Sequence, residues 1–148
     1  MGLLELASGA SAWRGYEYYK SNRVLTKKII SDHEYSGILC GNKNNTYEVF
    51  IDTEHSRKSH CNCPHANGRH IVCKHQVALY FSAFPQAAEQ YYKEILEYEA
   101  EEERQKQLLH EHILKYINSL SQEELKSLLF DILCEDADIE SYRFGDED

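Results

Sequence analysis

The chain has 148 residues, 42% of them hydrophobic, enough for one packed domain or a small domain with an appendage. No apolar run approaches the roughly 18 residues a membrane helix needs, and Met1–Leu6 lacks the basic start and long apolar stretch of a signal peptide. The net charge of −9 is split: residues 1–80 hold ten basic and seven acidic residues, a balance of +3, and residues 81–148 hold six and eighteen, a balance of −12. An acidic half repels phosphate backbones, so any nucleic-acid contact belongs to the first half.

In chain order, residues 11–20 read as a short helix with Ser11 as its cap and Trp13, Tyr16 and Tyr19 on one face. Gly15 weakens that helix by about 1 kcal/mol relative to Ala. Three β-like runs follow: 23–30, 35–40 and 46–51. The last alternates, with Tyr47, Val49 and Ile51 on one face and Glu48 and Phe50 on the other. The cluster Gly41–Asn45 between the second and third runs predicts a hairpin. A fourth strand, Arg57 to His60, is expected to run into Cys61.

From Cys73 onward the pattern is helical. Val77, Ala78, Phe81 and Phe84 share a face, and Pro85 marks a stop or a kink. Tyr91, Tyr92, Ile95 and Tyr98 form a stripe that either meets a partner or packs on the chain's own sheet. Ser121–Glu124 fits a capping box ahead of Leu125, Leu128, Leu129, Ile132 and Leu133. Phe144–Asp148 reads as a frayed acidic tail. The fold class is therefore α+β: a small antiparallel sheet followed by an acidic α-helical region. The expected division is 1–84, holding the N-terminal helix, the sheet and a metal site, and 85–148, holding about three helices.

The chemistry concentrates in Cys61, Cys63, Cys73 and His75. Three thiols and an imidazole form a common closed ligand set for structural Zn²⁺, with no open position for catalytic water. In a strand, residues i and i+2 point to one face, so Cys61 and Cys63 can share an ion. Pro64 suits a chain leaving the sheet, Gly68 a sharp return, and Cys73 and His75 bracket a helix start whose amides favour thiolates. Three thiolates, a neutral His and Zn²⁺ leave one negative charge, which those amides and Lys74 offset. His60, His65 and His70 are rivals for the fourth position, while Cys40 and Cys134 lie outside the cluster. Cys134 falls with the Leu129/Leu133 stripe and reads as a core thiol. Clustered thiols of this kind fit a reducing, cytoplasmic setting better than disulfides.

The pattern Cys-x-Cys-x9-Cys-x-His resembles the SWIM-type zinc finger, in which Cys-x-Cys and Cys-x-His sit on a ββα unit. The lead-in Trp13–Lys20 with Val24, the strand Tyr47–Val49, Cys61–Pro64 and the run Lys74–Leu79 resemble those of small bacterial SWIM proteins. The likeness covers roughly residues 11–84. It implies structural zinc and binding of DNA or proteins, since such fingers occur in Swi/Snf-type helicases, Mutator-type transposases, kinase ubiquitin-ligase regions and recombination accessory factors. This chain has no helicase or transposase segment, which favours an adaptor or subunit.

Two further roles compete with that of a protein-binding, non-catalytic module, for which homo-oligomerisation is an open option. In the first, Lys27, Lys28, Lys43, Arg57, Lys58, Arg69 and Lys74 contact phosphates, with Tyr47 or His70 stacking on bases. In the second the chain is an enzyme. It has no phosphate loop, nucleophile elbow or His-Glu-x-x-His site, and His110 and His112 stand about 200° apart on a helix, so neither a small-molecule substrate nor catalysis is expected.

Overall fold

The computed structural model describes residues 2–42 and 45–144, with side-chain surroundings described as far as Asp136. The elements are α1 (Leu3–Leu6), α2 (Gly9–Lys20), β1 (Val24–Ile29), β2 (Glu34–Cys40), β3 (Thr46–Asp52), β4 (His60–Cys61), α3 (Lys74–Ala83), α4 (Pro85–Ser119) and α5 (Gln122–Phe144). They fall into two compact units, Met1–Ile95 and Leu96–Asp148.

In the first unit the four strands form an antiparallel sheet in sequence order. The expected hairpin pairs β2 with β3 in continuous register, Tyr35 with Ile51, Gly37 with Val49 and Leu39 with Tyr47. These pairs share the face that packs on α3, which explains the alternation read from the sequence: Val49 and Ile51 are buried and Glu48 is exposed. Helix α3 lies in the middle of the unit, with Val77, Ala78, Leu79 and Phe81 fully buried. A helix apolar on nearly every side needs cover on every side, and α2 and the sheet provide it.

Gly15 has a packing reason. A Cβ there would stand 2.5 Å from Val77 Cβ, so its absence lets α2 approach α3. Tyr16 joins the two helices to the start of α4. It lies edge-on to Phe81 (6.0 Å) and stacks on Tyr92 (5.2 Å), with Tyr91 at 5.9 Å. Tyr91 and Tyr92 therefore pack on their own unit, whereas Tyr98 is exposed.

Two local expectations need correction. Helix α2 starts earlier than Ser11: Ser8 is the cap, and its Oγ accepts the Ser11 N–H. The fourth strand does not begin at Arg57, because Ser56–Lys58 forms a 3₁₀ turn and only His60 and Cys61 pair with β3. The cause is Asp52, whose Oδ1 accepts the N–H groups of Glu54 (3.0 Å) and His55 (2.7 Å) and folds the chain back at once.

Pro85 ends α3 and opens α4, since a proline fits the first position of a helix, where no amide donor is needed. In the second unit the rest of α4 and α5 are joined at Leu120 and Ser121. The expected capping box is present: Ser121 Oγ accepts the Glu124 N–H at 3.2 Å, and Glu124 Oε2 accepts the Ser121 N–H at 2.7 Å. Cys134, expected in a core, is exposed together with its Leu neighbours, because nothing among the described residues covers that face of α5. The acidic tail from residue 145 lies outside the described residues.

Candidate metal centre

Cys61, Cys63, Cys73 and His75 converge from separate pieces of local structure. Cys61 ends β4, where its pairing with Val49 fixes its direction. Asn62 fastens the next step to β3, donating its N–H to Glu48 O (3.2 Å) while its Oδ1 accepts the Glu48 N–H (3.0 Å). Cys63 opens a tight turn in which its carbonyl accepts from Ala66 and Asn67, and Gly68 takes the left-handed φ of 70° that brings the chain back. Cys73 is the N-cap of α3, and His75 lies in the helix's first turn.

The four ligand atoms all lie within 4.8 Å of one another, and all four residues are at most 3% exposed. His75 Nδ1 faces the thiols, 3.7 Å from Cys61 Sγ and 3.9 Å from Cys73 Sγ. Zinc bonds of about 2.3 Å to sulfur and 2.1 Å to nitrogen, set tetrahedrally, place S and N roughly 3.6 Å apart. The side chains are thus gathered at nearly the spacing a tetrahedral ion requires, and the donor set suits zinc. His75 is held edge-on to Tyr18 (5.4 Å) and tilted against Tyr47 (4.6 Å), while its buried Nε2 has no hydrogen-bond partner among the described residues.

The electrostatics of the cluster favour a thiolate at Cys73. The hydrogen bond from Cys61 holds the Cys73 pKa down at about 4 against burial, aided by His75 and the Gln76 N–H. Giving that hydrogen bond pushes Cys61 up, as does its burial. Burial likewise raises Cys63, with the charge of Cys73 adding to it, although the Ala66 and His65 N–H groups turn toward its sulfur. A cation at the centre reverses the repulsion among the three sulfurs. Lys74 contributes positive charge nearby, with its Nζ 4.3 Å from the centre of the Tyr18 ring.

Among the described residues the rival His60, His65 and His70 stay outside the four-ligand group, as do Cys40 and Cys134. His60 stacks on Phe50 across the sheet instead. Sequence reasoning missed Gln76 and Tyr18, and it offered Tyr47 for base stacking, whereas Tyr47 packs against His75. For Gln76 the signal was available, because Cys73-x-x-Gln76 has capping-box spacing with a thiol in the hydroxyl's place.

The basic residues offered for phosphate contact are dispersed. Lys27 donates to Ser82 O, Lys58 stands 3.9 Å from Asp52 Oδ2, and Lys74 lies over Tyr18. Lys28 and Arg57 line different grooves, and Arg69 lies in the turn after Gly68. Lys43 is outside the described residues.

A buried three-thiol, one-imidazole cluster between a strand end and a helix start has the donor set and spacing that could hold a zinc ion. Residues 47–84, from β3 to the end of α3, match the family model described as SWIM zinc finger, so the chain carries a SWIM-type zinc finger. Neither the curated proteins nor the solved structures yield a match to the chain. Among the described residues no helix is long and apolar enough to cross a membrane.

Proposed function

We propose that the chain is a non-catalytic adaptor. Its zinc finger holds the first unit together, and its second unit docks a protein partner that is apolar at its centre and basic at its rim. The observation that carries this reading is on α5. Leu128, Leu129, Phe130, Ile132 and Leu133 are 39–67% exposed, and Leu109, Ile113 and Ile117 of α4 are exposed as well. Apolar surface in such quantity marks an interaction site. The flanking charge sets the partner's character: residues 96–148 hold sixteen acidic and five basic residues.

A partner of this kind fits better than DNA, because the acidic half repels phosphates and the basic side chains of the first unit are scattered. The closed ligand set leaves the zinc no role in activating water. The test is site-specific photocrosslinking from position 129 in the full chain, with identification by mass spectrometry. One basic polypeptide should be captured, and Ile132→Glu with Leu133→Glu should abolish its capture. Crosslinks only to a second copy would replace the partner with a homodimer, and a DNA mobility shift at about 50 mM salt without any captured protein would overturn the reading.

A further inference from the structure

The far end of β3 from the thiol cluster carries a second group of metal-type donors. Glu34 and Asp52 are register partners where β2 begins and β3 ends. His33 precedes Glu34, and the ligand atoms of His33, Glu34 and Asp52 all lie within 4.8 Å of one another. The turn made by Asp52 brings in His55, whose Nδ1 is 3.4 Å from Asp52 Oδ2 and whose ring centre is 6.4 Å from that of His33.

Asp52 is fully buried, and its two oxygens are treated differently. Oδ1 accepts two backbone N–H groups, whereas Oδ2 has no hydrogen-bond donor among the described residues. A buried carboxylate oxygen without a donor is costly, and here it stands 3.4 Å from the His55 imidazole. Among the described residues His55 Nδ1, at 3.4 Å, and the Lys58 ammonium, at 3.9 Å, stand near it.

We propose that His33, Asp52 and His55, with Glu34 completing the set, bind a divalent transition-metal ion at a site separate from the zinc finger. Two imidazoles and two carboxylates suit Zn²⁺ and its neighbours Ni²⁺, Co²⁺ and Fe²⁺. Ca²⁺, which takes six to eight oxygens, is excluded by the same donor set. Lys58 is the competitor. Its ammonium neutralises Asp52 in the metal-free arrangement, and being exposed at the end of a flexible stem it can swing away when the ion enters.

The test uses the full chain with its thiolate site zinc-loaded, titrated with Zn²⁺ by calorimetry and checked for metal content by mass spectrometry after dialysis. The wild-type chain should take up a second equivalent. His33→Ala with His55→Ala, both at partly exposed positions, should lose that equivalent while keeping the first and an unchanged melting curve. Lys58→Ala removes no ligand and should tighten the second equivalent several-fold. A wild-type chain that binds only one equivalent overturns the proposal. So does a second equivalent that survives in the double variant, which would assign it to surface histidines such as His110 and His112, or an affinity that Lys58→Ala leaves unchanged.

Discussion

Cys73 and Gln76 cap each other. Gln76 Oε1 accepts the Cys73 N–H at 2.7 Å, and the Gln76 N–H turns back to the Cys73 sulfur, so a candidate metal ligand is also the residue that starts α3. Both are buried, and Gln76 is fully so. Gln76→Ala strands the Cys73 N–H and should cost about 1–3 kcal/mol. It also frees the orientation of the thiolate, so zinc affinity should fall by about 10–100-fold, as for other groups that orient ligands. Competition with a chromophoric chelator measures this. A variant that loses stability while keeping zinc affinity would make Gln76 a helix cap and nothing more.

Zinc and the first unit's fold should be lost together. Structural zinc contributes on the order of 10–16 kcal/mol in finger peptides, against about 5–15 kcal/mol for the net stability of a whole domain. Cys63→Ser, His75→Ala or full chelation should therefore unfold residues near 58–80, read as loss of amide protection there. An unchanged melting temperature after chelation would show that zinc is incidental to the fold.

The convergence of Cys61, Cys63, Cys73 and His75 was legible in the sequence because the spacing is local: each pair has a single residue between its members. The hairpin and the Ser121 cap were legible for the same reason. The fourth strand was misjudged because its start depends on Asp52, a buried side chain whose role appears only once β3 has been placed. Cys134 was misplaced because an amphipathic stripe shows which face is apolar, not what covers it. Gly15 looked like a weakness in a helix, and only its nearness to Val77 gives the reason for it.

Gly15→Ala follows from that contact. An alanine gains about 1 kcal/mol of helix propensity, but its methyl must push α2 away from α3, and overpacking costs about 1–3 kcal/mol. A net fall in melting temperature is expected. A rise would show that the two helices separate freely at this point.

Thiol labelling should separate the five cysteines. Cys134 is exposed, whereas Cys61, Cys63 and Cys73 are buried. With zinc bound, iodoacetamide should modify Cys134 first and leave the three ligands intact until chelator is added. Early modification of Cys63 would mean that the ligand turn opens readily.

The start of α5 should respond to acid. The Ser121 N–H, aided by the Ser121 side chain, holds the Glu124 carboxyl below its ordinary range. Its contribution is therefore fully present above about pH 4.3 and is lost as pH falls through the lowered folded value. An NMR titration of the Glu124 carboxyl should place its midpoint below that of an unstructured glutamate. A midpoint at or above about 4.3 would show the box to be open in solution.

The nine residues between Cys63 and Cys73 also set an order of events. A loop of about ten residues closes in roughly 10–100 ns, while seating α3 against β1 and β2, tens of residues away in sequence, requires slower, longer-range encounters. A chain that captures its ion early then carries the end of β4 and the first turn of α3 into those encounters already joined. The zinc loop would serve as the seed on which the rest of the first unit condenses.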